Sequence, residues 1–231
     1  MASSLDQAAN ALWDPPEDMT PSEDDPYPAI SNLMHKSVAE RIFPGGCVAF
    51  GRLGGSVPYF SRGYGTYTFD TNQQTTPDSM WDVASLTKVL ATTPAVMLLY
   101  EAGKIDLDAT AASYIPEFGQ NGKGRITIRH LLTHTAGLRE WYNFHGMGLH
   151  TEGEILNFIY SDKAWYPVGN KSRYSDLSMI VLGKVVETIC GNTLDAFCRT
   201  SLYEPLGMTP PVHHGAQRAW PPPPRCPAPR R

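Results

Sequence analysis

"DVASLTKVL", residues 82–90, places a serine and a lysine three positions apart inside an otherwise apolar run. In a helix, residues i and i+3 share a side, with about 5–6 Å between their Cβ atoms. Ser85 and Lys88 would then face one another across a single turn. A serine hydroxyl is a weak nucleophile until a base takes its proton. In the first turn of a helix it also lies at the positive end of the helix dipole, where developing negative charge is favoured. Asp82 and the apolar pair Val83–Ala84 precede Ser85, which suits a helix start. Lys88, set among Val83, Leu86 and Leu90, is expected to be buried and pushed toward its neutral form. A neutral amine accepts a proton; a charged one lowers the pKa of a neighbouring acid. The spacing alone is weak, because Ser-x-x-Lys is expected about once by chance in a chain of this length and composition. A capping serine and a snorkelling lysine give the same letters.

A second stretch adds context. In "NKSRYSDLS", residues 170–178, Tyr174 lies on a loop just before a strongly apolar helical pattern, with Asp176 placed to cap that helix. A tyrosine near Lys88 can serve as the base that activates Ser85, and later as the acid for the leaving group. The plainer alternative is a loop tyrosine packed over the helix start.

The intervening and flanking segments define the organisation. Residues 1–28 carry seven acids, several prolines and no lysine or arginine, and read as a disordered arm. From residue 29 to 209 the chain reads as one domain. "ISNLMHKSVAERIF" gives a helix with Ile30, Leu33, Met34, Val38 and Ile42 on one face, stopped by Pro44-Gly45-Gly46. "CVAFGRL" and "VPYFSRGYGTYTF" read as a hairpin around Gly54-Gly55, with Pro58 at an edge or bulge. "SLTKVLATTPAVMLLYEAGK" reads as a buried helix kinked or split at Pro94 and stopped by Gly103. "DLDATAASYIPEF" is a turn-rich connector, "TIRHLLTHTAGL" a short helix from near Thr127 to Gly137, and a long aromatic-rich loop follows. "DLSMIVLGKVVETICGN" is an amphipathic helix ended by Gly191-Asn192, and Leu194–Tyr203 forms another. Residues 210–231 are rich in proline and arginine, lack acids and lack any hydrophobic period, so they read as a disordered tail.

Composition narrows the function classes. A hydrophobic fraction of 42% and a net charge of -4 fit a soluble globular protein, with no basic field for nucleic acid. The longest apolar run, "PAVMLLY", is too short to span a bilayer. "MASSLDQAANALW" has neither a basic n-region nor an apolar h-region, so the expected compartment is the cytoplasm. Cys47, Cys190, Cys198 and Cys226 are scattered and read as reduced thiols. His130 and His134 stand four apart but lack an adjacent glutamate and a third ligand, so no metal is expected.

Together, in this order, "FPGGCVAFGR", "WDVASLTKVLATTPAVMLLYEAGKIDLD", "YIPEF", "ITIRHLLTHTAGL", "YSDLSMIVLGKVVE" and "LYEPLGM" resemble the class C β-lactamase-related serine hydrolases. That group comprises β-lactamases, D-alanyl-D-alanine peptidases and β-lactamase-fold esterases. The resemblance covers about residues 30–209 and implies an α+β fold: an antiparallel sheet flanked by helices, with a largely helical insert between the first two motifs. It implies Ser85 as the acylated nucleophile, Lys88 as its motif partner, and Tyr174 in the tyrosine place of a Tyr-x-Asn motif. Asp176 stands where asparagine is usual, as a substrate-side residue, and its charge would favour a charged lysine. A small-molecule ester or amide is the implied substrate, without a cofactor; the oligomeric state is open. A third motif, Lys-Thr-Gly or His-x-Gly on a later strand, has no counterpart in a core element. His213-His214-Gly215 has the letters but sits in the proline-rich tail. The C-terminal strands of the sheet are therefore expected to be missing, with apolar helix faces left uncovered. The alternative to an acyl-transferring hydrolase is thus a truncated, non-catalytic fragment of one.

Overall fold

The computed structural model describes residues 25–52 and 60–208. Gly54-Gly55, Pro58 and His213–Gly215 lie outside them. Contacts divide the chain at Asp82 into two compact units.

The first unit holds helix α1 (Pro28–Ala39) and strands β1 (Gly45–Phe50) and β2 (Phe60–Gly65). The strands pair antiparallel, with Gly45 opposite Gly65 and Phe50 opposite Phe60. Among the described residues they form a two-stranded sheet. Helix α1 starts at Pro28, where a fixed φ and a missing N–H cost nothing, and ends at Ala39, short of the sequence expectation. Asp25 and Tyr27, assigned by sequence to the acidic arm, belong to this unit. The Asp25 carboxylate is buried, pairs with Arg62 and accepts the Tyr27 N–H at 2.8 Å.

The second unit is helical. A 3-10 turn (Ala84–Leu86) leads into a π-helical turn (Lys88–Thr92) and then helix α2 (Thr93–Glu101). The backbone stays helical through Thr92 and Thr93, so the chain does not break at Pro94; the π pattern gives way to the α pattern there, with the proline in the first turn of α2. Pro94 has no N–H for the Leu90 carbonyl, and the Tyr203 hydroxyl donates there instead at 3.0 Å. Gly103 follows the helix with φ +66 and the connector contains 3-10 turns at Ala111–Ser113 and Pro116–Gly119.

Helix α3 (Ile128–Leu132) is shorter than the sequence suggests. Thr127 and His130 form its capping box, and the backbone leaves the helix after Leu132, before Gly137. Helix α4 (Glu152–Ser161) falls where a loop was expected. Its signal is present in the letters: Thr151 caps it, Glu154 returns the bond, and Leu156 and Ile159 are buried. Helix α5 (Asp176–Cys190) is the central element, packed by α2, α3 and α6 (Leu194–Cys198). A π-helical turn, Arg199–Tyr203, extends α6. Leu177, Val181, Leu182, Val185 and Val186 of α5 are inaccessible and join Leu99, Phe118, Ile128, Leu131 and Ile159 in one core. Each buried large apolar side chain there contributes about 1.5–3 kcal/mol. Among the described residues no single helix is long and apolar enough to cross a membrane.

Candidate active site

The second unit brings Ser85, Lys88, Tyr174 and Asp176 together. Lys88 Nζ donates to Ser85 Oγ at 3.1 Å, and Tyr174 Oη donates to the same oxygen at 2.6 Å. Asp176 Oδ1 lies 2.7 Å from Lys88 Nζ, and the ammonium sits 4.8 Å from the centroid of the Tyr174 ring.

Each position has a local cause. Ser85 is central in the 3-10 turn, directly after Ala84, whose φ of +43 is unusual for a residue with a Cβ. That sharp entry puts the backbone N–H of Ser85 in the first turn, where a helix supplies no internal acceptor. Lys88 opens the π-helical turn, one turn beyond Ser85. Such π turns are frequent at functional sites. Tyr174 is the second residue before α5, and Asp176 is its first residue.

Two sequence expectations are corrected here. The cap of α5 is Ser175, whose side chain accepts the Ser178 N–H at 3.3 Å, and not Asp176. An Ncap side chain must precede the first helical residue, and Asp176 already lies inside, free to face Lys88. Lys88 is not set in an apolar pocket either. Val83, Leu86 and Leu90 are exposed, and the lysine side chain, 14% exposed, is covered beside a carboxylate. Burial works against its charge, but the Asp176 carboxylate and the Tyr174 phenol outweigh it and hold the amine above its usual range. The Tyr174 phenol moves the other way. Its bond to Lys88, then its bond to Ser85, holds it below the ordinary tyrosine range.

The histidines take separate roles. His130 serves the α3 capping box. His134 lies beside the site, its ring 4.9 Å from that of Tyr174. Sequence reading grouped it with a structural helix; its φ of +57, which turns it out of that helix, is a tertiary feature no letter announces. Burial first, then the charge of Lys88, holds its imidazole below the usual range, partly offset by Asp176. No group of three or more metal-ligating side chains occurs among the described residues.

The surroundings of Ser85 are open. A groove of about 390 Å³ is lined by Thr87, Lys88, Asp176, Met179, Ile180 and Leu194 among others, but by neither Ser85 nor Tyr174. Tyr174 is half exposed. Residues 139–140 border the site through their backbone: the Arg139 carbonyl accepts from Ser175 Oγ at 2.7 Å, and that of Glu140 from the Asp176 N–H at 2.8 Å.

Comparison with known proteins shows the family and the fold. The beta-lactamase family profile matches residues 30–231. A protein of Salmonella agona named "Putative D-alanyl-D-alanine carboxypeptidase" is 31% identical over 160 residues, covering 64% of this chain and 37% of its own length. The octameric penicillin-binding protein homologue of Pyrococcus abyssi is similar in fold, with a TM-score of 0.69 at 24% identity, over 78% of this chain and 43% of that one. Simvastatin synthase of Aspergillus terreus aligns at 25% identity with a TM-score of 0.63, over 90% of this chain and 52% of its own. The chain belongs to the beta-lactamase family. It spans little more than a third of the length of the curated relatives it matches.

Proposed function

We propose that this chain takes an acyl group from a small-molecule ester or amide onto Ser85 and passes it to water or a small alcohol. The observation that carries this reading is the convergence of the Tyr174 hydroxyl, at 2.6 Å, and the Lys88 amine, at 3.1 Å, on Ser85 Oγ.

The electrostatics support one division of parts. Lys88 is paired with Asp176, which favours its ammonium form, so in this reading it is not the base. Its charge instead favours the phenolate of Tyr174. The phenolate takes the Ser85 proton as Oγ bonds to the substrate carbonyl carbon. The tetrahedral intermediate then collapses, the C–O or C–N bond breaks, and Tyr174 gives that proton to the leaving group. In the second half, water or an alcohol attacks the acyl-serine and loses its proton to Tyr174. The bond to Oγ breaks and Ser85 recovers the proton. The name of the Salmonella relative describes amide cleavage, the same reaction class.

A second reading, a fragment without turnover, is favoured by one observation. Leu86, Val89, Met97 and Tyr100 are each more than half exposed, an apolar face such as a further layer of structure covers. A fluorophosphonate probe separates the two. Labelling of the wild-type chain that disappears in Ser85→Ala is expected for a live nucleophile. Folded, soluble wild-type protein that takes no label supports the fragment.

A further inference from the structure

The loop carrying Tyr174 is joined on both sides of that residue to a single side chain's owner. The N–H of Arg173 donates to the His134 carbonyl at 2.7 Å, and the N–H of Ser175 donates to His134 Nδ1 at 3.1 Å. Two further bonds extend the seam: Gly169 N–H to the Thr135 carbonyl at 2.8 Å, and Ser172 Oγ to the Thr133 carbonyl at 3.2 Å. His134, the residue that makes both bonds flanking Tyr174, has a left-handed backbone, at φ +57. A non-glycine residue in that region carries a conformational cost and persists when its surroundings over-determine it. Acceptance of a backbone N–H at Nδ1 requires an unprotonated Nδ1, so the neutral ring carries its proton on Nε2.

We propose that His134 is the positioning residue of this site: through its carbonyl and its neutral imidazole it clips the backbone on either side of Tyr174 and so fixes the phenol on Ser85. The inference rests on the acyl-transfer reading above for its consequence, but not for its geometry. Protonation of Nδ1 removes the acceptor for Ser175 and releases one side of the clip. Three groups act electrostatically on or stack against this ring: the Lys88 ammonium, which opposes its protonation, the Asp176 carboxylate, which favours it, and the Tyr174 phenol packed on its face. The Arg173–Glu140 ion pair, at 3.1 Å, stands on the adjoining loop residues.

The test compares His134→Asn with His134→Ala. Asparagine places Oδ1 on Cγ where histidine has Nδ1, tolerates a left-handed backbone and does not titrate. Alanine offers no acceptor. In the wild type, nitrogen NMR of His134 is expected to show Nδ1 bare and Nε2 protonated at neutral pH. Amide exchange at Arg173 and Ser175 is expected to be at least about tenfold faster in His134→Ala than in wild type, with Val181 and Val185 unchanged, and slowed again in His134→Asn. In fluorophosphonate labelling, His134→Ala is expected to lose about 10- to 100-fold in maximal rate with little change in half-saturation. His134→Asn recovers most of that rate and lacks the acid-side fall caused by protonation of the ring. A proton on Nδ1, unchanged exchange at Ser175 in His134→Ala, or an asparagine variant no better than alanine would each overturn the proposal. Wild-type protein that shows the clip by NMR and exchange yet takes no probe removes the acyl-transfer reading and leaves the clip standing.

Discussion

The two sides of the site are built in opposite ways. Tyr174 and Asp176 hang from the start of α5, where Ser175, Leu177 and Ser178 are essentially inaccessible and the preceding loop is bonded to residues 133–140. Ser85 and Lys88 sit on 3-10 and π-helical turns whose neighbours Leu86, Val89 and Leu90 are exposed. The carbonyls of that segment are tied to the π turn after α6 and to α6 by the Tyr203 hydroxyl on Leu90, at 3.0 Å, and the Cys198 thiol on Ala91, at 3.6 Å. The side that carries the proposed base is therefore held by burial, and the side that carries the proposed nucleophile by a few polar ties. Irregular backbone carries the serine, and a buried helix carries the groups proposed to activate it.

The difference is tested most sharply by removing the group that crosses it. Tyr174→Phe keeps the half-exposed ring and deletes the hydroxyl on Ser85. Labelling or ester turnover is expected to fall by about 10²- to 10⁴-fold, with melting temperature nearly unchanged. A phenylalanine variant that retains full rate would hand the base role to Lys88.

Damage to the buried side is expected to appear as lost stability. Gly137 has φ +74, and a Cβ there would collide with the Tyr166 carbonyl, while the Gly137 carbonyl accepts the N–H groups of Trp165 and Tyr166. Gly137→Ala should cost about 2 kcal/mol or more in urea unfolding. An effect below about 0.5 kcal/mol would show that this segment relaxes freely and that the base side is not the rigid one.

Sequence reading reaches some of this and misses the rest for identifiable reasons. Helix α5 is legible because its apolar period, its Gly191 stop and its length all agree, and Gly191 indeed adopts φ +68. Ser85, Lys88 and Tyr174 are legible as a set because the two stretches that carry them stand among six that resemble one family in order; the Ser-x-x-Lys spacing alone is too common. Helix α4 is less legible because it stands in a segment rich in aromatic and glycine residues that reads as a loop, although Thr151 and Glu154 spell its capping box. Lys88 is covered as the sequence suggests, and the charge of Asp176 acts on it as expected, but the cover does not come from its neighbours in the chain: Val83, Leu86 and Leu90 are exposed, and Asp176 lies 88 positions away. The place of His134 beside Tyr174 is not legible, because no local pattern signals its left-handed backbone.

The nucleophile side responds to smaller changes. Tyr203→Phe removes the hydroxyl that donates to the Leu90 carbonyl, a loss of about 1 kcal/mol, or about 2–4 °C in melting temperature for a domain of this size. Pro94→Ala supplies an N–H that can reach the same carbonyl. In the Tyr203→Phe background it is therefore expected to destabilise less, or stabilise more, than in the wild type. A double-mutant cycle measures that coupling. Strict additivity would mean that the proline gap and the tyrosine tie are unrelated, and that the segment is held by something other than the bonds named above.

Asp176→Asn probes the join between the two sides with the mildest change, since the shape is kept and one charge removed. Two signs follow. Lys88 has a raised folded pKa, so the stabilisation from its pairing is complete below the unfolded lysine value and is lost as pH rises through the folded one. The asparagine variant should lack that alkaline loss. Asp176 also opposes ionisation of Tyr174, so its removal lowers the phenol further and moves the rising limb of the rate profile toward lower pH. At neutral pH the rate is expected to change by less than about tenfold, because the carboxylate is about half exposed and its field is screened. Probe labelling across pH reads both directions at once. A rising limb displaced toward higher pH would mean that the carboxylate promotes the phenolate instead of opposing it. The base would then act through an arrangement different from the ammonium–phenolate pair.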